Sequence, residues 1–412
     1  MSPKKLFGEL LGLGLSWRVA ECVLSRTEGR VDLRVENTGE VWKTERCPRC
    51  GGLPKAYDHT EEVHWDHLHV MQFRCQVTAR LPRGRCDQCN HAWRVRPPWE
   101  GKAGGFSKDF EAFALLLMRE MPIRKAAEVL GVTDTRLWRL LQCHVEAARK
   151  ESDFSNVTCV GVDEMAIRKG HRYISVFADL VERRVLFAAA GKDAGVWPDF
   201  FEDSEAHNGH RHSLLQVSQD MSPAYLKGVR EHCRNAEVIH DKYHVIANLI
   251  TATERVRRRE QKFRPELKEA RWTFRKNPQN LNEDQRAELE TLTQSNLATV
   301  KAYQMRLAFQ DAYQLGTVEE AKRRRLAWCR WARMGSKRFG ALFMEMERFA
   351  KSVETHLQGI LAHCKHRITN AFMEGLNSEF SAVKRRSRGF RSMELLTTIL
   401  YFVAGKLRLP AI

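Results

Sequence analysis

The chain has 412 residues, 43% hydrophobic and 29% charged, a balance that folds around cores and excludes wholesale disorder. Its apolar runs fall far below the roughly 18 residues of a spanning helix, and Glu9 interrupts the leucines near the start, so neither a membrane span nor a signal peptide is expected. The formal net charge is +17, and three Arg-rich runs after Glu254 (residues 255–276, 322–338 and 384–391) carry all of the excess, as suits a partner that is a polyanion.

Eleven cysteines outside a secretory context point to a reducing compartment and to metal wherever thiols are paired. Cys47-Pro-Arg-Cys50 and Cys86-Asp-Gln-Cys89 are two such pairs. Each knuckle aims two thiolates at one ion, and four thiolates fill the tetrahedral shell of one structural Zn²⁺, leaving no open position. His59, His64, His67, His69 and Cys75 lie between the pairs as alternative ligands. Residues 17–24, 30–36 and 69–81 alternate or run apolar, which reads as short antiparallel strands. A zinc-binding β module is therefore expected over residues 1–96, with Pro97-Pro98 and the glycine-rich stretch that follows as a linker.

Over residues 97–152 the period becomes helical. One helix is expected from Asp109 to Glu120; a second follows Pro122 and ends at Gly131, and Thr133 caps a third. Ala126, Leu130, Leu137 and Leu140 would face inward, giving a helix-turn-helix DNA-binding domain. Thr135, Arg136 and Arg139 would be offered to the major groove. The basic runs supply phosphate contacts, with Arg257, Arg258 and Arg259 in one and Lys384, Arg385, Arg386 and Arg388 in another; Trp272, Trp328 and Trp331 are interleaved with such runs.

Residues 153–242 read as three strands, a helix, a strand, a helix and a strand. An antiparallel meander continued into a parallel α/β sheet is the RNase H-like arrangement. Residues 243–361 are helical by period and read as an α-helical insertion, and the helices of 362–412 are expected to return to the sheet. The fold class is thus multidomain α/β, with an RNase H-like catalytic domain interrupted by helices.

Sites of α/β sheets gather beyond the strand carboxyl ends. There Asp163 follows one apolar strand and Asp220 another, and a third carboxylate should come from the late helix. Phe372, Leu376, Phe380 and Val383 form its apolar stripe, Glu374 falls opposite, and Glu379 is the rival near the stripe. Converging carboxylates bind two hard cations, Mg²⁺ or Mn²⁺, that together promote displacement at phosphorus.

The chain resembles the DDE transposases of the ISL-three group of bacterial insertion sequences almost from end to end. The resemblance rests on CPRCG with PRGRCDQC, on EMPIRKAAEVLGV, GVDEMAIRKGHRYISVFADL, DMSPAYLKGV and DKYHVI, and on TNAFMEGLNSEFSAVKRRSRGFR. It implies that the DDE acids are Asp163, Asp220 and Glu374, against Glu379. Asp241 and His244 match a D-x2-H motif of related transposases and would support the site. Also implied are binding of the element's terminal inverted repeats, strand cleavage that frees a 3′-OH, strand transfer into target DNA, and a homodimer or higher oligomer on double-stranded DNA in the nucleoid of a bacterial cytoplasm. Ser218-Gln219 before the second acid and Ala371-Phe372-Met373 before the third depart from the usual pattern without touching an acid.

Overall fold

The computed structural model describes residues 2–168, 172–191, 195–314, 317–368, 371–386 and 392–410, without the side chains of Ala166, Arg168, Arg172, Arg385 and Arg386. The chain divides into two units, Met1–Ser152 with Ala382–Ile412, and Asp153–Ser381.

In the first unit, strands β1 (Trp17–Ser25), β2 (Arg30–Asn37), β3 (Pro54–Val70), β4 (Phe73–Cys86) and β5 (Ala92–Arg94) form a sheet of order β1-β2-β4-β3, with β5 on β4. Alternation produces it: Val31, Leu33 and Val35 are buried while Arg30 and Arg34 point outward. Two features differ from the expected set of short antiparallel strands. β2 pairs with β4 in parallel, and β3 and β4 run 17 and 14 residues. The long hairpin closes the cysteine site, since β3 starts just after Cys50 and β4 ends in Cys86, with Pro54 opposite Cys86.

Three helices follow, Lys108–Glu120, Ile123–Leu130 and Asp134–Lys150. The Ser107 and Thr133 hydroxyls accept from the Phe110 and Arg136 amides and cap the first and third. Gly131, at φ 66° and ψ 29°, ends the second in the left-handed region that glycine adopts without strain. Ala126, Leu130, Leu137 and Leu140 are buried as expected. The expected linker between strands and helices is instead folded into both cores. Trp99 packs edge-on against Trp17 and Trp65, and Phe106 stacks on Phe110. Buried Glu111 accepts the Lys102 and Ala103 amides and bonds His144 Nε2 at 2.8 Å. A Cβ on Gly101 would lie 2.3 Å from the Glu111 carboxylate, so glycine here serves close approach rather than flexibility.

The last helix, Met393–Ala404, was expected on the catalytic sheet. It packs in the first unit, placing Ile399 and Phe402 in the three-helix core and Glu394 on Gln142 at 2.8 Å. A helix this apolar must be covered, and the three-helix bundle covers it.

In the second unit β6 (Cys159–Arg168), β7 (Arg172–Asp179), β8 (Arg184–Ala190), β9 (Gln216–Gln219) and β10 (Glu237–His240) form a sheet of order β10-β9-β6-β7-β8. β6, β7 and β8 are an antiparallel meander, whereas β9 runs parallel to β6 and β10 parallel to β9. Helices Val196–Ala206 and Pro223–His232 link the later strands. Phe177 of β7 stacks on Phe200 at 4.4 Å, and Trp197 meets it edge-on. Gly228 admits that indole, since a Cβ there would lie 2.0 Å from the ring. From Lys242 to His366 the described residues contain helices and no strand. Their core holds Val245, Leu249, Met305, Phe309 and Trp328. Trp328, interleaved with arginines in sequence, is thus a packing residue whose indole N–H donates to the Met305 carbonyl at 2.7 Å.

Candidate active site and zinc centre

Cys47, Cys50, Cys86 and Cys89 come together with every sulfur within 4.8 Å of the others, three of the pairs at 3.4–3.5 Å. Thiolates about 2.3 Å from a shared tetrahedral Zn²⁺ have similar spacing. Each knuckle turns through a left-handed residue just after its second cysteine, Gly51 at φ 74° and Asn90 at φ 53°. Gly52 must stay small, because a Cβ would lie 3.1 Å from Cys86 Sγ. Four of the five alternative ligands are engaged elsewhere, His64 with Thr78, His67 with Ser107, His69 with the Leu130 carbonyl, and Cys75 within the sheet core, and exposed His59 is outside the cysteine group. The donor set is therefore four thiolates, a closed structural zinc site.

The acids of the second unit meet where β9 and β10 stop. Asp163 was expected at a strand end, but β6 continues past it to Arg168, pairing with β7. On its other edge β6 pairs with β9 only as far as Gly161, so Asp163 lies just beyond that ladder. Asp220 follows β9 directly, and its Oδ1 accepts the Ser222 amide at 2.8 Å, which starts the Pro223–His232 helix. Asp241 follows β10 and is buried at the N-cap of Lys242–Glu260; His244 lies in the first turn of that helix. His244 Nε2 stands 3.9 Å from Asp163 Oδ1 and 4.0 Å from Asp241 Oδ2, between the two. Beneath them, burial and neighbouring His356 push the His240 imidazole down to about 4. Gly359 makes room for it, since a Cβ there would lie 2.4 Å from the ring.

Glu374 is in the first turn of helix Ala371–Arg386. One turn on, Asn377 Nδ2 donates to Asp163 Oδ2 at 2.7 Å and ties this helix to β6. Desolvation raises the Asp163 carboxyl above the usual range, with the charge of Asp220 adding to it against His244, the Glu164 amide and Asn377. Desolvation also raises Glu374, followed by the charges of Asp241 and Asp163. Asp163 thus feels the charge of Asp220, and exposed Glu374 those of Asp241 and Asp163, an excess of negative charge that a bound cation would relieve. Glu379 instead lines a surface cavity with Cys159, Leu180 and Gln216, at the start of β6 rather than at Asp163. The buried stripe of this helix is Met373, Leu376 and Phe380. Asn377 was missed in sequence because amides inside helices carry no spacing signal.

Family models match along the chain. A zinc-finger model of the IS204/IS1001/IS1096/IS1165 transposases matches residues 43–89, a helix-turn-helix model of transposase family ISL3 matches 95–145, and the ISL3 DDE model, described as transposase, matches 160–400. The chain belongs to the ISL3 family of transposases. It is 26% identical to the transposase for insertion sequence element IS1001 of Bordetella parapertussis, over 85% of this chain and 87% of that one. The transposase for element IS1557 of Mycobacterium tuberculosis is 24% identical over 97% of this chain and 95% of its own length. The protein is an insertion-sequence transposase that binds DNA and catalyses transposition.

Several arginines expected on the DNA prove to hold the transposase itself together. Arg136 bonds Asp66 of β3 at 2.6 Å and the Gly105 carbonyl, and covers the Phe106 ring at 4.1 Å, whereas Thr135 and Arg139 are exposed. Arg257 is only 3% exposed and bonds Glu254, Gln261 and the Leu267 carbonyl. Arg259 bonds Glu345 and the Ala341 carbonyl, while Arg258 is exposed. Charge runs cannot distinguish these cases, because helical period puts every third or fourth residue of a run inward. Lys384 is half-buried, and Arg388 and the side chains of Arg385 and Arg386 lie outside the described residues.

Two results are expected. Arg257→Ala should lose about 3 kcal/mol of unfolding free energy, because Glu254 loses its two-bond partner and keeps Arg271 only at 3.8 Å, and the Leu267 carbonyl loses this donor, whereas Arg258→Ala should change stability by less than about 0.5 kcal/mol and lower the salt slope of DNA binding by about one. Denaturant melts and salt titrations of affinity check this. Arg136→Ala should destabilise the first unit by about 1 kcal/mol, its 40% side-chain exposure limiting the effect. Arg139→Ala should leave the melt unchanged and weaken DNA binding.

Proposed function

We propose that this transposase recognises the terminal inverted repeats of its element with the zinc module and helix-turn-helix, and cuts and joins DNA at Asp163, Asp220 and Glu374. The observation that carries this is His244 standing between Asp163 and Asp241, with Asp220 at the end of the strand between theirs and the helix of Glu374 tied to Asp163 through Asn377. The strand order supports an RNase H-like catalytic fold, and the helices between Lys242 and His366 support an insertion within it. Among the described residues only the cysteines gather three or more ligand atoms within 4.8 Å of one another.

Hard oxygen donors fit Mg²⁺ or Mn²⁺, which when bound would supply Lewis acidity for attack at phosphorus and charge for the departing oxygen. The chain's own part is positional. Asn377 fixes one oxygen of Asp163 and the Glu164 amide holds the other, bonding it at 2.7 Å. The Asn377 contact also holds the helix bearing Glu374 at the strand bearing Asp163. Asp241 and His244 support the acids from the neighbouring helix. Thr135, Arg139 and Arg258, with the 384–388 run, are the proposed DNA contacts, and joining two ends calls for at least a dimer. Among the described residues no helix is long and apolar enough to cross a membrane.

The test is Mg²⁺-dependent cleavage of a duplex carrying the element's end by the purified full chain. Tight end binding without cleavage would favour a regulator over an active enzyme.

A further inference from the structure

Nine of the ten tryptophans are buried or half-buried; Trp272 is 56% exposed. It lies on the short helix Arg271–Arg275. The opposite side of this segment is anchored firmly, with Leu267, Ala270 and Phe274 in a core with Leu292, Leu297, Val300 and Tyr303. Buried Arg306 clamps the end of the helix, donating to the Arg275 carbonyl at 2.9 Å and the Lys276 carbonyl at 2.6 Å, and the Tyr303 hydroxyl also donates to Lys276. The indole is thus held outward by a rigid base rather than left on a loose loop.

Its surroundings are cationic. The guanidinium carbons of Arg271 and Arg275 stand 5.2 and 5.8 Å from the Trp272 ring. Arg271 also lies 3.8 Å from Glu254 but keeps half of its side chain exposed. Lys262, Arg264 and Lys268 are exposed in the same segment, beside Phe263 at 75% exposure, and outnumber exposed Glu266, which pairs with Arg264 at 3.5 Å, and Glu269. A rigid aromatic face flanked by guanidinium groups fits a planar base joined to phosphates. Within a duplex each base face is covered by its neighbours, so only an unpaired base can use such a platform.

We propose that Trp272 is a stacking platform for an unpaired base in the DNA this transposase handles, with Arg271 and Arg275 on the flanking phosphates. This rests on the protein's acting on DNA and adds the class of structure that this surface selects. The experiment measures full-length protein, by fluorescence anisotropy, on a blunt duplex and on the same duplex with a short single-stranded thymine extension. Wild type should prefer the extended duplex about tenfold. Trp272→Ala should lose that preference with blunt binding and melting temperature unchanged, and Trp272→Phe should keep most of it. A 2-aminopurine placed in the extension should be quenched by wild type and not by Trp272→Ala. Equal binding of both DNAs by wild type, or a preference and quenching that survive Trp272→Ala, would overturn the platform alone. Failure of wild type to bind either DNA would overturn the DNA reading and the platform together.

Discussion

Asp163→Asn, Asp220→Asn and Glu374→Gln should each lower Mg²⁺-dependent cleavage by at least about a thousandfold while DNA-end binding survives, and Glu379→Gln should leave both cleavage and binding unchanged. The amides keep size and most hydrogen bonding but remove the charge that holds cations. Members of one site fail together, so double substitutions should be no worse than single ones. Stability supplies a second readout. Burial, with the charge of Asp220 behind it, lifts the Asp163 carboxyl above its unfolded value. The folded state therefore holds that proton more tightly than the unfolded chain, and stability falls as pH rises from the unfolded value through the folded one. At neutral pH and without divalent cations the Asp163 charge is a burden on the fold. Asp163→Asn removes that charge and should raise the melting temperature in the absence of divalent cations. The same change should erase the further rise that Mg²⁺ gives the wild type. Robust cleavage by any one of the three variants would remove that residue from the site. An active Glu374→Gln beside a dead Glu379→Gln would exchange the two glutamates.

Cys86→Ser with Cys89→Ser should abolish zinc binding and unfold the β3–β4 hairpin end. Wild type should carry about one zinc per chain by elemental analysis. Structural zinc contributes roughly 10–16 kcal/mol, as much as the whole stability of an ordinary domain, about 5–15 kcal/mol. Cys47 and Cys86 are buried while Cys50 is exposed and Cys89 half-buried, so part of the site faces solvent and packing alone does not replace the metal. Binding to element ends should fall with the module, while the second unit, with its separate cores, should keep its own thermal transition. A double variant that still holds one equivalent of zinc would show that the ligands were misassigned.

The sequence by itself determined what local spacing encodes. Two C-x2-C knuckles fix a four-thiolate site wherever the chain can return the second pair to the first, and the 3.6-residue period with Gly131 and Thr133 fixes the three helices. Alternation fixed the strands of the sheet, and Asp220 and Asp241 could be read at the ends of β9 and β10. Tertiary structure decided everything that depends on which surface faces which. It set how far β6 runs past Asp163, because that depends on partner strands of unequal length. It sent Met393–Ala404 to the three-helix core, since an apolar helix specifies that it must be covered and not by what. It drew Trp99 and Phe106 out of an apparent linker into two cores. It also sorted the arginines: Arg136 and Arg257 became internal ties while Arg139 and Arg258 stayed in water. Net charge in a sequence is blind to that difference, because a guanidinium beside Asp66 or Glu254 and one facing solvent carry the same formal charge until the fold supplies the neighbour.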